Sequence, residues 1–173
     1  METWQAINSV RVVRAFADRV LAPQDLERIL NAGRRAGSSR NQQSWAFIVV
    51  QERNRLRELV AVGPYGGHLA GAAAAVALVT PEPAMSHQQD SFMWDLGRAA
   101  QNMVLAAWEL GIGSAPVTVV APAVAKRLLG LPDDQRCHFL LSFGYPADPS
   151  VLTAPNKPGG RKRLAEVVHE ERW

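Results

Sequence analysis

The amino-acid sequence predicts one domain of mixed helix and strand, and three observations predict it. The chain has 173 residues, enough to bury a core without disulfides or structural metals. Apolar runs at 45–51, 74–80 and 139–143 have the length of buried strands and are bounded by glycine, proline or polar turns. Between them, apolar residues recur every three or four positions, the period of a helix packed on one face.

Residues 3–10 read as a short helix with Trp4 and Ile7 facing inward, and 11–18 as a turn-prone stretch. Pro23 opens a second helix at the position where proline sacrifices no hydrogen bond, with Asp25 and Glu27 near the positive end of its dipole. Leu26, Ile29, Leu30 and Gly33 form its buried stripe, and Gly37 is read as its stop. Ser38, Ser39, Arg40, Asn41, Gln42 and Gln43 then make a polar loop that runs directly into the strand carrying Trp45, Phe47, Ile48, Val49 and Val50. Hydrogen-bonding side chains held at the rim of a core by rigid neighbours are a candidate binding loop.

Asn54 is read as the cap of a short helix bearing Leu56, Leu59 and Val60, which the glycine-rich run 63–67 breaks. The second strand, 74–80, is closed by Pro81 and Pro83. Residues 90–110 carry the strongest helical signal: Phe92, Leu96, Ala99, Ala100, Met103, Ala107 and Leu110 share a face, and Gly111 ends it. Small or apolar residues cover more than half of its circumference, as in a helix central to a core or packed on a second subunit. The stretch 111–116 reads as a glycine-bearing turn with exposed amides, Pro122 opens a helix to Leu129, and 139–143 is the third strand. From 147 to 160 the chain is rich in proline and glycine, and only 164–168 regains strand character. Residues 147–173 are therefore expected to form an arm that reaches a partner subunit.

Composition narrows the function. Hydrophobic residues make up 47% and charged residues 20%, ordinary for a globular domain. The apolar run 69–79 is too short to span a bilayer, and 1–8 has no basic start, so neither membrane partner nor secretory leader is expected. Cys137 is the sole cysteine, which excludes an intrachain disulfide and fits a reduced, cytoplasmic setting. The net charge of +3 gathers at the two ends, in Arg11 and Arg14 and in Lys157, Arg161, Lys162 and Arg163. Without interleaved aromatics these clusters are not read as a nucleic-acid surface. His68, His87, His138 and His169 lack ligand spacing, so no metal is expected, and no phosphate-binding loop, nucleophile elbow or dinucleotide fingerprint is present. Two basic ends, a polar loop and a turn of free amides are parts that hold an anionic organic cofactor carrying its own chemistry.

Four blocks occur in a familiar order and spacing: Arg11-Val-Val-Arg14-Ala-Phe16; Ser38-Ser39-Arg40-Asn41-Gln42-Gln43-Ser44-Trp45; Asp95-Leu96-Gly97 running into Gln101-Asn102 and Leu110-Gly111-Ile112-Gly113-Ser114; and the tail from Arg161 to His169. In these the chain resembles the FMN-dependent nitroreductase family over nearly its whole length. The resemblance implies an α+β fold with a central, mainly antiparallel sheet flanked by helices, one domain over 1–173, and an intertwined homodimer with two FMN sites at its interface. It implies FMN as cofactor, NADH or NADPH as transient hydride donor, and a nitroaromatic, quinone or similar flat acceptor reduced by a ping-pong scheme.

By the same resemblance Arg11, Val12 and Arg14 line the phosphate and pyrimidine side of the flavin. Arg161 and Lys162, with Arg163 as a possible substitute, complete the phosphate site. Ser38, Ser39 and Asn41 approach from the other subunit, and the amides of Ser114 and Ala115 lie near N5 and O4. Arg14 is assigned to the negative charge that reduction leaves near N1, and no side chain is assigned an acid–base role. Val10 and Val12 stand where the family commonly carries arginine and serine, and Gly37 and Ser44 where it carries prolines. The missing serine hydroxyl removes a cofactor hydrogen bond worth about 0.5–1.5 kcal/mol. Two other readings stay open: a flavin-binding or sequestering protein of the same fold with little turnover, and a flavoenzyme with a specialised oxidation or dehalogenation substrate.

Overall fold

A computed structural model describes residues 1–155 and 159–173; Lys157 lies outside the described residues. The elements are α1 (Thr3–Ser9), α2 (Pro23–Arg34), β1 (Ala46–Val50), α3 (Arg53–Glu58), β2 (Ala74–Pro81), α4 (Ser86–Glu109), β3 (Gly113–Thr118), α5 (Pro122–Leu129) and β4 (Gln135–Gly144). Short 3-10 turns occupy Ser39–Asn41, Leu59–Val62, Gly66–Gly71, Pro149–Leu152 and Leu164–Glu166. Every strand pair is antiparallel, in the order β1-β2-β4-β3. This is the α+β arrangement that the resemblance implied.

Alternation along the strands separates two cores. On one face Ala75, Ala77, Leu140 and Val117 pack with Leu56, Leu59, Val62 and Leu69. On the other, Ala74, Val76, Leu78, Leu141 and Phe143 pack with Ile29 of α2 and Leu96 and Met103 of α4. Strand β2 is almost wholly buried, which explains its unbroken apolar run. Met103 fills the space left by Gly33, where an added Cβ would lie 2.2 Å from the Met103 Cε, so α2 and α4 are locked at that crossing. No helix among the described residues is long and apolar enough to cross a membrane.

Several local expectations need correction. Trp4 and Ile7 point outward, 70% and 49% exposed, and Ala6 is the buried residue of α1. The reason is that α1 is tied to α4 along its other side, where the Trp108 indole N–H donates to Ser9 Oγ at 2.8 Å. Helix α2 ends at Arg34 with Arg35 as cap at φ −84°, so Gly37 is not its stop. An added Cβ at Gly37 would lie 2.4 Å from Arg98 Nη2, the far end of a half-exposed side chain that lies over that glycine. Glu52, not Asn54, caps α3: its carboxylate accepts from the Asn54 and Arg55 amides at 2.9 and 2.8 Å.

Helix α4 begins at Ser86, where the Gln88 side chain reaches back to the amides of Ala84 and Met85. Residues 113–118 are the strand β3, which takes in most of the turn expected over 111–116, and β4 begins at Gln135 rather than 139. Finally, 164–168 is not a strand: Leu164–Glu166 is a single 3-10 turn, with Leu164 and Val167 exposed.

Candidate functional site

The basic block near the N-terminus is a strap along the free edge of β3. Val12 bridges Ser114 in parallel, and the Val13 amide donates to the Ser114 carbonyl at 2.9 Å. Further on, Phe16 bridges Pro146 and the Ala17 amide donates to the Tyr145 carbonyl at 2.8 Å. Two glycines permit this approach: a Cβ on Gly113 would lie 2.5 Å from Val13 Cβ, and one on Gly144 would lie 2.8 Å from Phe16 Cδ1. Because Ser114 turns its carbonyl to the strap, Pro116 faces its missing N–H the same way and costs the β3–β4 ladder nothing. Ser114 and Ala115 are thus buried strand residues, and the exposed turn of free amides expected there is absent.

Behind the strap lies a buried polar pair that sequence reasoning missed. His68 in the Gly66–Gly71 turn places Nδ1 2.8 Å from Ser142 Oγ of β4, and the Ser142 hydroxyl donates to the Ala115 carbonyl at 3.2 Å. That hydroxyl has one proton, so Ser142 accepts from His68 Nδ1–H, which assigns the neutral tautomer with its lone pair on Nε2. Nε2 is buried without a hydrogen-bond partner. Burial first and the Arg14 guanidinium second hold the imidazole below its ordinary pKa, opposed by the Pro116 carbonyl. Nothing in the spacing of His68 and Ser142 signals the pair, because the packing of the Gly66–Gly71 turn on the sheet brings them together.

Arg11 is committed to the base of the arm. Its Nη2 donates to the Ala154 carbonyl at 2.6 Å, Nη1 to the Pro155 carbonyl at 3.4 Å and Nε to the Ser9 carbonyl at 3.2 Å. With Trp4 and Gln5 it lines a cleft of about 320 Å³ between α1 and the arm. Arg14 is exposed. Arg161, Lys162 and Arg163 are also exposed; Arg161 donates to the neighbouring Gly160 carbonyl, and Arg163 pairs with Glu166 in the same turn.

The polar loop stands at the opposite corner of the sheet. Ala46, where the loop enters β1, pairs with Val79, which lies opposite Cys137 near the start of β4; Gly113 pairs with Gly144 at its end. The Ser39 amide donates to Asp95 Oδ2 at 2.8 Å, and Asp95 is about 20 Å along α4 from Glu109, beyond which the chain enters β3. Within one chain, therefore, Ser38, Ser39 and Asn41 are far from Arg14 and Ser114. Asp95 is a second site feature that sequence reasoning missed, although a carboxylate on the stripe shared with Ala99 and Met103 was a usable signal.

Cys137 is buried and its thiol is pushed up to about 12, chiefly by burial, so it is no nucleophile. Among the described residues no group of three or more His, Cys, Asp or Glu side chains could hold a metal. Fold and site together define an antiparallel α+β protein with a cationic strap along one sheet edge and a buried imidazole packed on the neighbouring strand. Residues 7–64 and 60–145 match the Nitroreductase family, and the chain belongs to it.

It is 30% identical over 99% of both chains to a protein of Archaeoglobus fulgidus named "Putative NADH dehydrogenase/NAD(P)H nitroreductase", and 29% identical to one of the same name in Methanothermobacter thermautotrophicus, covering 100% of this chain and 88% of the other. Its fold superposes on an FMN-dependent nitroreductase of Clostridium difficile with a TM-score of 0.85, at 22% identity over 99% and 100% of the two chains. It superposes on the NADPH:FMN oxidoreductase of Vibrio harveyi, solved with NAD+, with a TM-score of 0.88, at 23% identity over 99% of this chain and 77% of the other.

Proposed function

We propose that this chain is an NAD(P)H-dependent flavin oxidoreductase that binds FMN between two copies of itself. The observation that carries the reading is the strap: main-chain bonds and two glycine gaps fix the backbone of Arg14 at a rigid sheet edge, with its side chain exposed. An exposed cation held on a rigid sheet edge suits a ring system that carries negative charge, and FMN is such a group. Membership of the Nitroreductase family and the nearly full-length relatives named for NAD(P)H chemistry support the oxidoreductase class.

Bound FMN would take hydride from a nicotinamide and pass it to an acceptor. The protein's share is to bind and orient. Arg14 offsets negative charge at the pyrimidine side. Arg11, with Arg161, Lys162 and Arg163, neutralises the phosphate, and Ser114 and Ala115 back the ring from β3. Val12, half exposed on the strap, offers that site packing without a hydroxyl. Ser38, Ser39 and Asn41 complete the site from the second copy, because their corner of the sheet is too far from the strap of their own chain. Outward-facing Trp4 and Ile7 and an arm with Leu164, Val167 and Val168 exposed supply apolar surface for that pairing. The acceptor is a flat nitroaromatic, quinone or similar compound that follows the nicotinamide onto the same face, in a reduced, cytoplasmic setting.

Val10 and Val12, standing where the family commonly carries arginine and serine, favour one second reading, a flavin-sequestering protein with little turnover. The ultraviolet–visible spectrum of purified protein, before and after anaerobic NADH or NADPH, separates them. Rapid bleaching of bound flavin supports the oxidoreductase, unbleached bound flavin the sequestering protein, and no spectral change with excess FMN defeats both.

A further inference from the structure

We infer that Asp95 is the positioning residue of the 38–43 loop: a buried carboxylate on α4 that grips the Ser39 amide and so holds the strained backbone that presents Ser39 and Asn41. What the loop contacts rests on the FMN reading above; the grip itself does not.

Asp95 is 4% exposed and occupies the apolar side of the central helix, where leucine or alanine would pack without a desolvation cost. A carboxylate survives there only if it is bonded. Its two partners are the Ser39 amide at 2.8 Å and Arg98 Nη1 at 3.9 Å, one turn along the helix. The Arg98 guanidinium lies over Gly37, where a Cβ would come within 2.4 Å of Nη2. Asp95, Arg98, Gly37 and Ser39 thus form a latch between α4 and the start of the loop.

The loop needs one. Arg40, Asn41 and Gln43 all have left-handed backbone, at φ 50°, 54° and 51°. Residues with a Cβ rarely adopt this backbone, and it persists where the surroundings hold it. Inside the loop the Gln43 amide donates to Ser38 Oγ at 2.9 Å, the Gln42 amide to the Ser39 carbonyl at 3.0 Å, and Gln43 Nε2 to Asn41 Oδ1 at 3.2 Å. Among the described residues, the bond to Asp95 is the one hydrogen bond that ties 38–43 to another element. Strain held by a single external tie has the character of preorganisation: the folded protein meets the ordering cost before a ligand arrives.

The test compares the wild type, Asp95→Ala, Asp95→Asn and Asp95→Leu. Amide hydrogen exchange is followed on the FMN-free proteins, and FMN affinity by absorbance titration. In Asp95→Ala the Ser39 amide should exchange at least about tenfold faster while β2 and β4 stay protected, and FMN affinity should fall about tenfold. Asp95→Asn keeps an amide oxygen that can still accept, and should restore most of both. Should Asp95→Ala fail to fold, Asp95→Leu fills the apolar stripe without an acceptor, and there the Ser39 amide should exchange at least about tenfold faster and FMN affinity fall about tenfold, with β2 and β4 still protected. Unchanged Ser39 exchange, unchanged affinity, or exchange rising uniformly through β2 and β4 would overturn the inference. Wild-type protein that binds no FMN would defeat the flavin reading, and Ser39 exchange would still decide the grip.

Discussion

His68 Nδ1 donates to Ser142 Oγ across 2.8 Å, and this bond joins the Gly66–Gly71 turn to the central strand β4 behind the cationic strap. Both side chains are buried, so the pair fixes the turn only while each partner satisfies the other. Substituting Ser142→Ala strands a second imidazole nitrogen and removes the hydroxyl's bond to the Ala115 carbonyl. A loss of about 1–3 kcal/mol is expected, read as a lower urea midpoint with an unchanged slope.

Acid should expose the same histidine. His68 is held below its ordinary pKa by burial and then by Arg14; His138, whose Nε2 lies 3.0 Å from Thr80 Oγ1, is held down by burial and by Arg136, against Glu82. Above about pH 6.5 these rings are neutral in folded and unfolded chains and contribute no pH dependence. As the pH falls through that value the unfolded chain binds protons that the native state takes up only at lower pH, so stability declines. Urea midpoints should drop between pH 7.5 and 5.5, and His68→Asn should flatten part of that drop. An equal drop in the variant would remove His68 as a contributor.

Gly113 is the tightest point of the strap. Adding a methyl there sets two backbone-fixed Cβ atoms 2.5 Å apart, which the chain can relieve only by lifting residues 12–14. Gly113→Ala should cost about 1–3 kcal/mol. At roughly 2–4 °C per kcal/mol for a domain of this size, melting should fall measurably. Since Arg14 rides on the strap, FMN affinity should fall with it.

Arg14 should matter more to reduced than to oxidised FMN. Arg14→Gln keeps bulk and hydrogen-bonding capacity while deleting the charge. Its flavin midpoint potential should move negative by roughly 30 mV, about 1.4 kcal/mol for a two-electron couple, with a smaller change in affinity for oxidised FMN. Spectroelectrochemistry against the wild type checks this, and an unshifted potential would show that the cation sits elsewhere.

The parts legible in the sequence were those written in local periodicity. Helices α2, α4 and α5 declared themselves through three- and four-residue spacing and through proline at the first turn, and β2 through its unbroken apolar run. Strand β3 escaped because Gly113, Ser114 and Pro116 have turn chemistry; only the strap and β4 on its two sides make a strand of it. Trp4 and Ile7 were misplaced because periodicity says which residues share a face, not what that face meets. His68 with Ser142 and Asp95 with Ser39 were invisible as pairs, being brought together by the packing of a turn on the sheet and of a loop on α4, from 74 and 56 residues apart.

By itself the sequence determined the family, the α+β class and the cationic residues at each end, because motif order and short-range periodicity are properties of the chain. Tertiary structure decided that the first basic block lies as a strap on β3, that a buried imidazole stands behind it, and that the polar loop occupies the far corner of the sheet. Those are consequences of strand register and close packing, in which a glycine matters for the atom it leaves room for and a carboxylate for the amide it meets.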